Sequence, residues 1–368
     1  MVSEAQYSPD VRIAEANHET RVLHIVEAFG GGVQTALHQY LDNADFAVHK
    51  IVARQREGHS VGVLASADLE IFDGSLAGFA KLSNKVLGTF QPQVVHLHSS
   101  YSSLMRLLPA CANRKLVYSP HCFAFERADK NFFERTLYRW VEQCLHNIRP
   151  AELAAVSPYE ANLAAEALKL QDVTLLPNVV REPTHPRTTS RKQGPQTQPR
   201  RVVGVGRITA QKSPEFFAAV AHRLRDKQIE FVWVGDGDPS LRRVLEHAGV
   251  DVLGWQDNFA TKQIVRSAEL YLHTASWEGA PIAPLEATEV GVPVIARKIA
   301  SLEGLGYFTP GTTVKSVSDA VEKFFESTAF AEKVRHTDHL RATTYCPSFQ
   351  NAALRRLYSA GSEKIEMM

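Results

Sequence analysis

Two cations, Arg207 and Lys212, stand five residues apart in Gly204-Val-Gly206-Arg207-Ile-Thr-Ala-Gln-Lys212-Ser213-Pro214. Arginine offers oxygen atoms a planar fork of donors and lysine a movable point charge, so the pair suits a diphosphate. An ordinary surface loop accounts for them equally well. A second segment, Ser276-Trp277-Glu278-Gly279-Ala280-Pro281-Ile282-Ala283-Pro284-Leu285-Glu286, carries two carboxylates eight residues apart. A carboxylate accepts two hydroxyl hydrogen bonds at once, which suits the ribose and the hexose of a nucleotide sugar. Gly279 and Pro281 keep the chain out of helix until Pro284, which takes the first helical position and leaves free amides for an anion. Glu286 then falls in the first turn, where a carboxylate also answers the helix dipole. Glu278, in the loop, has no such structural duty.

The surrounding elements must bring these segments together. The 368 residues are 44% hydrophobic, enough for two cores. Short apolar runs at 21–28, 46–54, 94–99, 115–121, 153–157 and 173–178 alternate with helical patterns such as 33–41 and 131–147. This is the pattern of a parallel sheet covered on both faces. Residues 181–200 are proline-rich and nearly devoid of large apolar side chains, as in a linker. The alternation resumes at 201–206, 230–235, 251–255, 269–274 and 292–296, with helices expected at 213–227, 239–248, 284–290 and 317–327. Ser213 is expected to cap the first of these helices and Pro214 to begin it. The expected organisation is a polar extension over 1–20, one doubly wound domain over 21–180, a second over 201–345, and a C-terminal helix over 346–368 crossing back to the first. Such domains place ligands at the carboxyl ends of their strands, here facing an interdomain cleft.

Composition narrows the function further. Lys and Arg total 41 and Asp and Glu 40, so there is no overall nucleic-acid footprint. The four cysteines form no C-x-x-C pair and fit buried free thiols in a reducing compartment. No apolar run approaches a membrane span, and the N-terminus lacks a signal-peptide core, so a cytoplasmic protein is expected. His96 and His98 point to one strand face, and no third metal ligand is apparent. Residues 96–150 hold an excess of four positive charges, with Phe123, Phe125, Phe132, Phe133, Tyr138 and Trp140 interleaved. This stretch reads either as an amphipathic helix whose aromatics pack inward or as a peripheral contact with an anionic membrane.

Glu278 and Glu286 reproduce the E-x(7)-E spacing of family 4 glycosyltransferases, and Gly206-Arg207-x(4)-Lys212 resembles that family's G-R-x(4)-K motif. Phe29-Gly-Gly-Gly32 resembles its glycine-rich first loop. His96-Leu-His98-Ser99 and Ser119-Pro120-His121 resemble its N-domain histidine motifs, Leu176-Pro177-Asn178-Val179 its "PNGV", and Gly235-Asp-Gly237 its "GDG". The resemblance spans about Arg21 to Phe325 and implies the GT-B fold, two Rossmann-like domains with the donor held by the second and the acceptor by the first. It implies that Arg207 and Lys212 contact the donor diphosphate, Glu286 the ribose and Glu278 the donor sugar. Gly31 and Gly32 would admit backbone close to phosphate, and His121 would approach the sugar across the cleft. Gly206 and Gly279-Ala280-Pro281-Ile282-Ala283 would complete the donor site, with Gly254 and Trp255 near the base. His98 and Ser99 would face the acceptor. Ala280 stands where the family motif has Phe.

The implied reaction retains anomeric configuration and needs no metal or other cofactor, because the two cations replace a divalent ion. The expected partners are a nucleotide-sugar donor and a glycan, lipid-linked or small-molecule acceptor, with no nucleic acid. A phosphorylase, a nucleotide-sugar epimerase or an inactive sugar-nucleotide binding protein of the same fold remains an alternative. A dinucleotide-dependent oxidoreductase is a weaker one, since Gly204-x-Gly206 lacks the third glycine.

Overall fold

The computed structural model describes residues 20–55, 68–170, 172–179 and 200–359. The expected extension over 1–20 and linker over 181–200 lie outside these residues, except for Thr20 and Arg200, which each open a strand.

Seven parallel strands form the first sheet: β1 (Thr20–Val26), β2 (Ala47–Arg54), β3 (Asp68–Phe72), β4 (Val94–His98), β5 (Lys115–Ser119), β6 (Glu152–Ala155) and β7 (Val173–Leu175). Their order is β3-β2-β1-β4-β5-β6-β7. The helices of this half are α1 (Gly31–Asp42), α2 (Leu76–Phe90), α3 (Phe132–Ile148) and α4 (Pro158–Ala167). In β1 the five residues Val22 to Val26 are fully buried, because helices cover both faces of the sheet. One face packs Leu23, Ile25, Val95 and Leu97 against Phe79, Val86 and Leu87 of α2. The other packs Val22, Val94 and Val117 against Ala36 and Tyr40 of α1.

The second sheet holds five parallel strands in the order β10-β9-β8-β11-β12. They are β8 (Arg200–Val205), β9 (Ile229–Val234), β10 (Asp251–Val252), β11 (Leu270–His273) and β12 (Val294–Ala296). Around them lie α5 (Pro214–Arg223), α6 (Pro239–His247), α7 (Asn258–Ser267), α8 (Ile282–Glu289), α9 (Ala300–Gly304), α10 (Val314–Glu326) and α11 (Thr328–Thr344). The last helix, α12 (Pro347–Tyr358), returns to the first sheet. Its Leu354, Leu357 and Tyr358 complete the Val22–Tyr40 core, and Gln350 Nε2 donates to the carbonyl of Pro177 at 2.7 Å.

Strand order reverses beside β1 and β4 in the first sheet and beside β8 and β11 in the second. At these switch points the carboxyl ends of neighbouring strands open a crevice. The loops after β1, β4, β8 and β11 hold most of the residues singled out by their chemistry.

Several expectations change. β3 is an added edge strand, whose partly exposed Asp-Leu-Glu-Ile-Phe lacks the continuous apolar run of the interior strands. The run at 251–255 keeps only two strand residues, because Gly254 turns the chain with φ +67°. The run at 115–121 ends at Ser119, as Pro120 has no N–H to continue the ladder and His121 takes φ 53°. Ser213 does precede α5, but it has φ 50° and its side chain makes no cap. Most important, α8 starts at Ile282 and not at Pro284. Pro281 takes the N-cap place, and Pro284 falls in the first turn, where its missing N–H costs nothing. Glu286 therefore lies beyond the first turn, and the helix dipole no longer explains it.

Candidate active site

The loops after β8 and β11 are stitched into one wall. Ser276 N donates to the Gln211 carbonyl at 2.9 Å, and Thr274 Oγ1 to the Lys212 carbonyl at 3.0 Å. Gln211 Nε2 reaches the Trp277 carbonyl at 3.2 Å and Glu278 Oε2 at 3.3 Å. Within this wall the Lys212 ammonium donates to Glu278 in a nearly buried ion pair. Burial alone would raise the Glu278 carboxyl, but Lys212, with His273 beside it, outweighs that and holds it at about 2. His273 Nε2 lies 3.6 Å from Glu278 Oε1. Gly206, at φ +152°, leaves room for the lysine stem: a Cβ there would stand 3.1 Å from Lys212 Cε. Half-buried Arg207 follows at the β8 carboxyl end, and burial lowers its guanidinium below the usual value.

Helix α8 begins beside this pair, and its N-terminus has no side-chain cap. Helix α1 begins after Gly30 and also lacks one. The two starts face each other across the cleft, since a Cβ on Gly32 would meet Ile282 Cγ1 at 3.5 Å. Each start has first-turn backbone N–H groups with no intrahelical acceptor, those of Gly31 and Gly32 on α1 and those of Ile282 and Ala283 on α8. Glu286 is partly buried on α8. Burial raises its carboxyl, and Asn258 Nδ2 lies 3.4 Å from its Oε1. Gly254 and the exposed Trp255 sit at the rim beyond β10, where the Gly254 carbonyl accepts from Gly235 N at 2.8 Å.

The first sheet supplies the opposite wall. His121 and Cys122 have φ of 53° and 91°, rare for residues other than glycine. Glu160 holds this turn, its carboxylate accepting from Cys122 N and Val156 N at 2.8 Å each. Burial drives the Glu160 carboxyl up to about 7 despite these two bonds. Gly279 presses against the same turn, and a Cβ on it would stand 2.7 Å from Cys122 N. Asn178 Nδ2 donates to the Ala280 carbonyl at 2.8 Å, a further tie between the halves. Ala280 is partly buried and Pro281 buried beside it.

His98 corrects the sequence reading. It is wholly buried, and its two ring nitrogens are taken by His24 and His121 at 3.0 Å each, so it holds His121 and does not face an acceptor. Ser99, at φ 84°, has a buried hydroxyl without a partner among the described residues. A third histidine does lie near His96 and His98: ring nitrogens of His24, His96 and His98 fall within 4.8 Å of one another. A metal fits poorly there. His24 bonds His98 and His49, His96 bonds Tyr358 and Ser119, and His98 bonds His24 and His121, so all six nitrogens are committed. His24, His49, Gln211, Thr274 and Glu160 were not singled out by sequence. His24 left one signal, a polar residue inside the apolar run Val22–Val26.

Helix α3 also departs from expectation. Phe123 and Phe125 before it are buried, but on the helix Phe132 is 76%, Phe133 82% and Trp140 60% exposed. With Leu137 and Ile148 they make an apolar stripe at helical spacing, so the inward-packing reading fails for these residues.

Comparison with known sequences decides the family. The model described as Glycosyltransferase Family 4 matches residues 35–182, and that described as Glycosyl transferases group 1 matches residues 199–327. The chain belongs to glycosyltransferase family 4. Among its relatives is a 41.2 kDa protein of the cps region of Klebsiella pneumoniae, 26% identical over 76% of this chain and 82% of its own. Another is the UDP-Gal:alpha-D-GlcNAc-diphosphoundecaprenol alpha-1,3-galactosyltransferase of Escherichia coli, 26% identical over 58% of this chain and 60% of its own. The Anabaena protein HepE, solved in complex with UDP and glucose, superposes with a TM-score of 0.73 at 17% identity, over 92% of this chain and 99% of its own. Its likeness shows the fold: the two parallel-sheet units of this family 4 glycosyltransferase form a GT-B pair. Among the described residues no helix is long and apolar enough to cross a membrane.

Proposed function

We propose that this glycosyltransferase moves a hexose from a nucleoside diphosphate sugar to an acceptor hydroxyl with retention of anomeric configuration. The observation that carries the reading is the placement of the Lys212–Glu278 pair beside two uncapped helix N-termini that face each other. Arg207, Lys212 and the amides of Gly31, Gly32, Ile282 and Ala283 would hold the diphosphate, Glu278 the hexose and Glu286 the ribose. Gly254 and Trp255 would flank the base, and His121 would meet the sugar from the opposite wall.

As the bond from the anomeric carbon to the phosphate oxygen breaks, negative charge grows on the diphosphate. A preorganised donor at such a point is worth about 3–4 kcal/mol. The acceptor oxygen attacks the same face, and its proton passes to the leaving phosphate oxygen. The cations and amides stabilise that charge without a metal. The Escherichia coli relative's name and the HepE complex favour a UDP-sugar as the first donor to test.

The α3 stripe favours an acceptor held at a membrane. Phe133, Leu137 and Trp140 would enter the headgroup boundary, while Lys130, Arg135 and Arg139 on the same helix region meet anionic lipid. The deciding experiment supplies UDP-, GDP- and ADP-sugars with membrane extracts and follows transfer and anomeric product. Phosphate-dependent cleavage of a glycan, or no turnover with any donor, would overturn the reading.

A further inference from the structure

Four histidines form an unbroken row across the first sheet. His49 Nδ1 lies 3.0 Å from His24 Nε2, His24 Nδ1 3.0 Å from His98 Nε2, and His98 Nδ1 3.0 Å from His121 Nε2. Strand register explains the alignment. His49 pairs with Val22, His24 with His96, and His98 with Ser119. Each step therefore moves one strand across and two residues toward the carboxyl edge. The row begins at partly buried His49 near the amino end of β2, passes through fully buried His24 and His98, and ends at His121 beyond the carboxyl end of β5.

Its His49 end is fixed, because His49 Nε2 lies 3.0 Å from the carbonyl of Ala44. A carbonyl only accepts, so His49 carries its proton on Nε2 and leaves Nδ1 bare. His24 must then donate from Nε2, His98 from Nε2, and His121 from Nε2. Burial lowers every ring in the row, His121 to about 4, so each keeps a single proton near neutrality. A second proton inside the row would set two N–H groups against each other. Tyr40 stacks on His98 and His121, with centroids 6.1 and 6.4 Å away, and keeps the rings in line.

We propose that His49, His24 and His98 are positioning residues that hold His121 in its Nε2–H form, so that it meets the donor sugar through a bare, accepting Nδ1. The role toward sugar rests on the placement of His121 proposed above; the tautomer does not. One carbonyl, separated from His121 by three rings, thereby decides whether the cleft histidine accepts or donates.

The test is a two-bond 1H–15N spectrum of the full chain labelled at histidine, at pH 7, with rings assigned by single substitutions. His24, His49, His98 and His121 should all be neutral and protonated on Nε2. A Nδ1–H or doubly protonated ring among them overturns the proposal. In His49→Leu the buried Nε2–H of His24 loses its acceptor, and His24, His98 and His121 should all switch to Nδ1–H. In His49→Asn the amide oxygen replaces Nδ1, and the three rings should stay as they are. With the donor in use, kcat/KM should fall roughly tenfold in His49→Leu, about one hydrogen bond, and return to within about twofold in His49→Asn. Unchanged tautomers in His49→Leu, or equal loss in both variants, overturn the proposal. The spectra are read without turnover, so failure of the row is distinguishable from failure of the transferase reading.

Discussion

Lys212 and Glu278, 66 residues apart in the chain, meet as a nearly buried ion pair that joins the β8 and β11 loops. Under the proposed function each partner would be both a ligand for the donor and the counterion of the other. Lys212→Ala should lower kcat/KM by about a hundredfold or more. It should also cost up to about 3 kcal/mol of stability, because it strands a buried carboxylate. The pair of changes Lys212→Met and Glu278→Gln should recover the melting temperature but not activity. A double variant that recovers both would remove these residues from the donor site.

Gly279→Ala probes the closeness of the two walls. The new methyl would press on Cys122 N at 2.7 Å and on the His121 carbonyl carbon at 3.0 Å. The walls must separate, and a misplacement of that size costs about a hundredfold in turnover. Steady-state kinetics alongside circular dichroism will show whether activity falls while the fold remains.

Stability should depend on pH through the histidines. Burial keeps His24, His96 and His98 well below the ordinary value of 6.5. The unfolded chain binds protons at these rings before the folded one does, so stability is full above about pH 6.5 and falls as pH drops. The expected slope is about 1.4 kcal/mol per pH unit for each ring. Glu278 acts lower, its contribution present above its usual 4.5 and lost as pH falls toward 2. Denaturant titrations from pH 8 to pH 4 measure the first effect, and a flat profile would contradict it.

The triple change of Phe133, Leu137 and Trp140 to Ser on α3 removes three exposed apolar side chains. Sedimentation with vesicles containing phosphatidylglycerol should fall at least tenfold, while transfer to a water-soluble acceptor stays unchanged. Full sedimentation of the variant would assign membrane contact to another surface.

The sheets were legible because their interior strands are nearly continuous apolar runs, as in Val22–Val26 and Val202–Val203. The candidate donor residues were legible because Arg207, Lys212, Glu278 and Glu286 keep motif spacing at strand and helix ends. Other features depend on three-dimensional pairing. The α8 start turned on Pro281 occupying the N-cap position, which the Pro284 signal masked. His24 looked like an isolated exception in an apolar strand and His49 like one polar residue among several in β2, because their bond to each other follows from strand order and register. The edge strand β3 has too little burial to mark its composition. The outward aromatics of α3 carry the same helical period whether they face a core or a lipid surface.

The return of α12 to the first sheet has a consequence for synthesis. While a ribosome is still translating the second sheet, Val22, Tyr40, His24 and His96 lack the cover that Leu354, Leu357 and Tyr358 provide. The first sheet, made before the second, is therefore sealed only after it, and a premature stop before Pro347 leaves that unit open however well the second one has folded.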